Sequence, residues 1–317
     1  MNNGIELRRD YLLERFSIIS HKRKLRPKEY KPGANTVNVS KCYFCPGNEE
    51  PELALGSINE NGRWVVRWLK NKYPAFDADE KSVSWKEGFY FEAPGFGYHE
   101  VIIDTPKHGT KLFELSPKEI VRLLGVYRER CQTLANRPGI KYVVLFKNSG
   151  PNSGASIVHE HTQIIAQGFI PSLVLEKIDA VRRTKSEGCP YCKIIKQEAK
   201  SPRTILVDKN FVSFVPFAPR FAHEAWLFPR RHAQNLAELN DKELESLAAM
   251  LKHILKRVDK LADSFNLLFY YSPKKSDGLH FHVEITPRTS AWAGYEFASQ
   301  DYIISSPPEE SARFYRA

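Results

Sequence analysis

Residues 148–166 read NSGPNSGASIVHEHTQIIA, and the last eight of these decide how the rest of the chain is read. If HEHTQIIA is a β-strand, its side chains alternate between faces, so His159, His161 and Gln163 share one face while Glu160 and Thr162 take the other. Just upstream, Gly150 and Gly154 free the backbone to turn tightly and to wrap an anion with N–H groups. Two histidines on one face of a strand, beside a loop of that kind, suit metal and phosphate chemistry.

Working outward, the same arrangement is written twice. Before His159 come Cys42-Tyr-Phe-Cys45, the run HEVIIDTPKH ending at His108, a helical stretch from about Ser116 and the strand KYVVLF. The second half carries Cys189-Pro-Tyr-Cys192, HEAWLFPRRH ending at His232, a helix from about Asp241 to Phe265, the strand NLLFYY and His280-Phe-His282-Val-Glu284. Five elements in one order at nearly equal spacing mark a duplication. The expected division is residues 1–175 and 176–317, with the polar helical segment SLVLEKIDAVRRTKSEG at the join. Strands that alternate or run apolar, without a helix between each pair, predict an α+β fold of two tandem units with antiparallel sheets and packed helices.

Four of the five cysteines stand in the two C-x-x-C pairs, a pattern of metal ligation in a reducing compartment more than of a disulfide framework. Each pair places two thiolates on one turn, and two later imidazoles complete the tetrahedral shell that zinc prefers. The expected sets are Cys42, Cys45, His108 and His159, and Cys189, Cys192, His232 and His280. Four protein ligands leave no open position, so both metals are expected to be structural. Cys131, in the helical stretch RLLGVYRERCQTLAN, reads as a buried core residue.

With His159 on the metal, His161 one pleat along faces a substrate. A neutral imidazole can attack phosphorus and leave again, splitting one difficult transfer into two easier ones, and Gln163 is a suitable uncharged donor to the phosphoryl oxygen. The second H-x-H lacks the preceding G-x-S and ends on Glu284, whose carboxylate repels phosphate, so that copy is expected to be silent.

A chain of 317 residues suits two domains, each with its own core. No apolar run approaches the roughly 20 residues of a membrane span, and MNNGIELRRDYLLERF lacks the apolar core of a secretory signal, which makes the cytoplasm the expected address. The net charge of +10 favours phosphate-bearing partners without separating RNA from a sugar nucleotide. In SHKRKLRPKEY, Arg23 and Arg26 are candidates for binding those phosphates.

With these residues laid out, the sequence resembles the galactose-1-phosphate uridylyltransferase family of the histidine-triad superfamily, whose relatives include ADP-glucose phosphorylase. The resemblance covers nearly the whole chain. It implies that Arg23 and Arg26 contact the nucleotide phosphates, that Asn71-Lys-Tyr73-Pro74-Ala75 sits at the ribose, and that Asn148, Gly154 and Ser156 hold the phosphoryl group beside the nucleophile His161 and Gln163. It further implies that Gly294-Tyr295-Glu296 and Gln300 recognise the sugar, often across a dimer interface. Two positions depart from the family pattern: Glu160 stands where bacterial relatives have proline, and Lys72 where an aspartate is expected.

The implied activity is ping-pong exchange of UMP between UDP-glucose and galactose 1-phosphate. An adenylyl version would use ADP-glucose and inorganic phosphate. Nucleotide hydrolysis is less favoured, because small histidine-triad proteins carry a third histidine where this chain has Gln163. A zinc-stabilised nucleic-acid-binding module is also less favoured, because the basic residues are scattered without a run of exposed aromatics. The expected partners are a nucleoside-diphosphate sugar and a sugar 1-phosphate, with Zn2+ at both metal sites, no nucleic acid, no membrane, and a second copy of the chain in a homodimer.

Overall fold

A computed structural model describes residues 5–20, 42–48, 50–79, 84–184, 188–273 and 278–317. Arg23 and Arg26 lie outside the described residues, as do residues 274–277 in the approach to the second H-x-H.

The strands of both halves run as one ten-stranded sheet. The first half contributes β3 (Ala54–Glu60), β4 (Arg63–Lys70), β7 (Gly97–Ile103), β8 (Tyr142–Ser149) and β9 (His161–Gln167); the second contributes β10 (Thr204–Val207), β11 (Phe211–Phe214), β12 (Ala225–Pro229), β13 (Phe265–Tyr270) and β14 (His282–Pro287). From the outer edges inward the orders are β3-β4-β7-β9-β8 and β10-β11-β12-β14-β13, so the halves repeat one topology and meet where β8 pairs antiparallel with β13, Phe265 opposite Ser149. Joining the two units there removes two open sheet edges, whose unpaired backbone groups would otherwise invite aggregation. A hairpin of β5 (Trp85–Glu87) and β6 (Tyr90–Glu92) stands apart from the main sheet. So does a small sheet in which β1 (Ile5–Arg9) and β2 (Phe16–Ser20) are joined by β15 (Tyr302–Ile304), tying the start of the described chain to its end.

Helices cover the sheet unequally. On one face lie α1 (Pro117–Ala135) and α4 (Asp241–Val258), one from each half, packed on each other and on alternate strand residues such as Ile102, Leu145, Ile164, Leu267 and Val283. Both helices start in the same way: Ser116 and Asn240 accept from the N–H groups of Glu119 and Glu243, whose carboxylates return bonds to the cap amides. Each leucine that these helices bury completely contributes about 1.5–3 kcal/mol.

The other face differs between halves. Over the second half lie α2 (Ser172–Arg183) and α3 (Pro190–Glu198), with Val174, Ile178, Tyr191 and Ile195 buried against Phe214, Trp226 and Phe228. Over the first half, the small cluster of Cys42, Phe44, Val101 and Ile103 borders an open cleft. The chain ends in α5 (Gly294–Ser299) and α6 (Pro308–Arg316). No helix among the described residues is long and apolar enough to cross a membrane.

Candidate active site and metal centres

The sequence-predicted ligands gather in two clusters, Cys42, Cys45, His108 and His159 in one and Cys189, Cys192, His232 and His280 in the other, with each set of ligand atoms lying within 4.8 Å of one another. Cys45 Sγ is 3.4 Å from His108 Nδ1 and 3.6 Å from His159 Nδ1, and Cys192 Sγ is 3.7 Å and 3.6 Å from the Nδ1 atoms of His232 and His280. The sulfur-to-nitrogen edge of a tetrahedral zinc site is about 3.6 Å, from bonds of about 2.3 and 2.05 Å. His159 Nε2 donates to Thr105 O at 2.7 Å, and His280 Nε2 to Pro229 O at 3.0 Å. Those bonds place the ring proton on Nε2 and aim the Nδ1 lone pair at the metal position. The donor chemistry and the spacing therefore both fit a zinc ion in each cluster.

Two residues beyond His159 and His280, at the start of β9 and of β14, stand their partners. His161 Nδ1 donates to the His159 carbonyl at 2.8 Å, and His282 Nδ1 to the His280 carbonyl at 2.8 Å. In both, the ring lone pair is therefore on Nε2. That of the first unit opens on a cleft: His161 and Gln163 line a space of about 310 Å³ shared with Phe44, Asn71, His99, Ser156 and Ile157. Burial, then the Lys147 ammonium behind the strand, lower the His161 pKa from the ordinary histidine value, so the ring is neutral at pH 7. The Phe44 ring lies 5.2 Å away, against one side of the imidazole.

His282 is fully buried, clamped between Phe228 at 4.8 Å and Tyr270 at 5.1 Å. Its Nε2 meets Lys177 Nζ of α2 at 3.1 Å, and Lys177 is held in turn by Glu284 at 2.6 Å. Arg220 pairs with the same carboxylate. Two buried cations and their counter-ion fill the position of the first unit's cleft.

The loop before His159 takes the turns its glycines were expected to allow. Gly150 has φ +83° and Gly154 φ +88°, and a Cβ on Gly150 would come within 2.1 Å of the Asp263 carbonyl. Ser156 lines the cleft, whereas Asn148 and Gly154 do not: the Asn148 side-chain Oδ1 accepts from Asn266 Nδ2, which also donates to Ser153 O and so braces the loop. Asn71 lines the cleft, its Oδ1 accepting from the Tyr73 amide at 2.9 Å. Lys72 lines it as well and is paired with Glu50 at 2.6 Å. Tyr295, Glu296 and Gln300 sit on and just after α5, away from this cleft. Glu296 accepts from the backbone amides of Ala293 and Ile303, and Gln300 ends the helix in the left-handed conformation at φ +59°.

Two residues were passed over in the sequence. Lys147, entirely buried on β8, bonds Asp104 at 2.7 Å and the His161 carbonyl at 3.1 Å, and pairs with Glu160. Although burial disfavours its charge, the two carboxylates outweigh that, and its pKa is raised. This is where Glu160 goes: it points away from the cleft into an ion cluster, with Ser149 donating to its other oxygen at 2.7 Å. A lysine among apolar strand residues was the available signal. The second residue is His99 on β7, whose Nε2 is 2.9 Å from Gln163 Oε1.

Known proteins match this architecture. Residues 7–171 match the family described as galactose-1-phosphate uridyl transferase, N-terminal domain, and residues 188–295 match the one described as scavenger mRNA decapping enzyme C-term binding. ADP-glucose phosphorylase from Arabidopsis thaliana is 30% identical, covering 99% of this chain and 93% of that protein. Galactose-1-phosphate uridylyltransferase from Thermotoga maritima is 29% identical, covering 98% of each. Among solved structures, the Arabidopsis thaliana ADP-glucose phosphorylase with bound ADP-glucose superposes with a TM-score of 0.84 at 27% identity, covering 99% of both chains. A uridylyltransferase superposes with 0.77 at 26% identity, covering 98% of this chain and 97% of that one.

Proposed function

Because the chain belongs to the galactose-1-phosphate uridylyltransferase family, we propose that it moves a nucleoside monophosphate from a nucleoside-diphosphate sugar to an acceptor phosphate through a covalent intermediate on His161. The observation that carries this is the state of the His161 ring: Nδ1–H is tied to the His159 carbonyl, and no protein group among the described residues meets Nε2, which borders the cleft. The Nε2 lone pair attacks the α-phosphorus, forming an N–P bond as the P–O bond to the sugar 1-phosphate breaks and that oxygen keeps the electron pair. An oxygen of the acceptor phosphate then attacks the same phosphorus and returns the electron pair to Nε2. The Gln163 amide donates to the phosphoryl oxygen in both steps, and Ser156 on the loop assists. Arg23 and Arg26 hold the remaining phosphate charge, and Asn71 the ribose; Asn148 and Gly154 support the loop.

Zinc held by these clusters would be structural in this reading. In the first unit Cys42, Cys45, His108 and His159 would hold it, and the held His159 would present the carbonyl that orients His161.

UDP-glucose with galactose 1-phosphate is the favoured substrate pair, making the chain a UDP-glucose:hexose-1-phosphate uridylyltransferase. A second reading, adenylyl transfer from ADP-glucose to inorganic phosphate, is favoured by the nearly full-length match to the plant phosphorylase and its ADP-glucose complex. Tyr295, Glu296 and Gln300 lie outside their own chain's cleft, which suits a homodimer in which each subunit completes the other's sugar site. Thiol-rich metal clusters suit a reducing compartment, and we assign the chain to the cytoplasm.

Mixing the protein with UDP-glucose or ADP-glucose in separate tubes, without acceptor, tests the chemistry by intact mass. A nucleotidyl adduct from one donor, with glucose 1-phosphate released, identifies mechanism and base together. No adduct and no sugar phosphate from either donor would reject the reading.

A further inference from the structure

The Gln163 amide can help a phosphoryl group only if its NH2 end, and not its carbonyl, faces the cleft. Nothing about a glutamine side chain guarantees that orientation, since its two ends are nearly the same size. In this chain a neighbouring residue imposes it. The backbone N–H of Ala75 points at His99 Nδ1 from 3.1 Å. A backbone amide can only donate, so Nδ1 must hold a lone pair. A neutral imidazole carries one ring proton, which is therefore on Nε2. That N–H faces Gln163 at 2.9 Å and requires an acceptor, so the oxygen of Gln163 must turn toward His99. The NH2 end is thereby directed away from His99, and no protein acceptor meets it among the described residues.

We propose that His99 is a positioning residue that reads its own tautomer from the Ala75 amide and uses it to lock the Gln163 amide with its donor end toward the transferred phosphoryl group. The inference rests on the reading in which Gln163 stabilises that group. The same histidine is anchored where the nucleotide is expected to lie: its carbonyl accepts from the Asn71 backbone amide at 2.8 Å. Asn71 does not replace Gln163 as the acceptor, because the Tyr73 amide holds its Oδ1 and turns its Nδ2, which can only donate, toward Nε2 at 3.1 Å, so no hydrogen bond forms there in this tautomer. The segment 71–75, whose first three residues line the cleft, and the amide that serves the nucleophile are thus coupled through one ring. Burial lowers the His99 pKa, which keeps that ring in the neutral form the argument needs.

Two variants separate the two ends of the ring. An asparagine carbonyl falls near Nδ1 and can still accept from Ala75, but it offers nothing at Nε2. A glutamine amide reaches the Nε2 position and can still donate. With the full chain and whichever donor forms the adduct, His99→Asn is expected to slow single-turnover adduct formation by roughly 10- to 100-fold, less than the loss on deleting a fixed donor outright, with the donor KM changed by about twofold or less. His99→Gln is expected to recover most of the rate. In a Gln163→Ala background, His99→Asn is expected to have no further effect, because the group it positions is gone.

Adduct formation at the wild-type rate in His99→Asn, a loss confined to KM, or a loss that multiplies with that of Gln163→Ala would each overturn the proposal. If His99→Asn does not fold, nitrogen-15 spectra of the histidine-labelled wild-type protein decide it. If the wild-type protein forms no adduct at all, the functional reading has failed, and the tautomer is judged alone by nitrogen-15 spectra of histidine-labelled protein. A His99 signal protonated at Nε2 and unprotonated at Nδ1 is expected there, and the reverse would refute the inference.

Discussion

Removing the ammonium of Lys147 is the sharpest test of how the strand of His161 is held. Its side chain is completely buried and faces two carboxylates, Asp104 at 2.7 Å and Glu160 in direct ion-pair contact, while also donating to the His161 carbonyl. Lys147→Met keeps the length and most of the volume and deletes only the charge. Two buried carboxylates would then remain, with Tyr127 and Thr162 as donors to one and Ser149 to the other, and no cation between them. Breaking a buried ion cluster by removing one partner costs about 3–5 kcal/mol. At roughly 2–4 °C per kcal/mol for a chain portion of this size, melting is expected to fall by about 10 °C. Calorimetry of the zinc-loaded protein, paired with urea titrations at pH 7, measures the loss. Neutralising the carboxylates as well, in Lys147→Met with Asp104→Asn and Glu160→Gln, is expected to recover much of it. A single variant that melts within about 2 °C of wild type, or a triple variant that is worse than the single one, would refute the view that charge compensation holds this strand.

His161→Ala is expected to keep two equivalents of zinc and its fold while forming no adduct, since every metal ligand lies elsewhere; an adduct by intact mass would contradict the assignment. Cys42→Ser is expected to lose the metal of the first cluster only and to lower the melting temperature, because metal binding to a structural site is folding free energy; unchanged metal content by elemental analysis would count against that site. Burial opposes the charge of Glu284, but Arg220 and Lys177 outweigh it and hold its pKa well below the ordinary value of 4.5. Its contribution is therefore present above that value and lost as pH falls through the folded-state pKa. Glu284→Gln is expected to be destabilised by about 3–5 kcal/mol at pH 7, with the gap to wild type narrowing in acid, and a gap constant from neutral to acid pH in urea titrations would remove the charge explanation.

Much of this was legible in the sequence because the residues concerned are rare types at fixed spacing. Two C-x-x-C turns, two H-x-H motifs and the lone His108 and His232 define both candidate metal clusters without any knowledge of the sheet. The period-2 alternation that put His161 and Gln163 on one face needed only the strand assignment, which β9 meets from His161 onward, whereas His159 and Glu160, expected in the same strand, precede it. What stayed hidden depends on pairing between strands. His99 looks like the start of a repeated HE run, aligned with His223, yet β7 places Val101 opposite Gln163 while β12 places Trp226 opposite Glu284. Counting back two residues from each matches His99 with Glu224, so the repeat read by letters is one position out of step there. Glu160 was legible as a departure but not as half of an ion cluster, because its partners come from β8 and from the turn after β7. Likewise the joining of the two units into one sheet is a contact between edges, and single-sequence periodicity says nothing about which edges meet.

The duplicated fold supplies its own comparison of a buried ion cluster with an apolar one. Phe146 lies opposite Gln163 in the first unit and Leu268 opposite Glu284 in the second, which brings Lys147 and Phe269 to matching positions. Between the paired histidines, Glu160 of the first unit answers to Phe281 of the second. The helix-covered side of the active strand therefore carries charge where its twin carries phenylalanine, and the situation is reversed on the opposite side: there the second unit holds Lys177, Glu284 and Arg220, while the first unit holds Gln163 and a cleft. A charged cluster offers no general advantage in stability over well-packed apolar residues, so its placement needs another reason. Beneath His161 the cluster fixes the strand's carbonyl from the closed side and leaves the other side to the cleft. Over His282 the cluster occupies the open side itself, closing the site with groups that the sheet can satisfy internally. The two units thus keep the same set of candidate metal ligands and the same histidine tautomer, and differ in which face of the sheet received the ions.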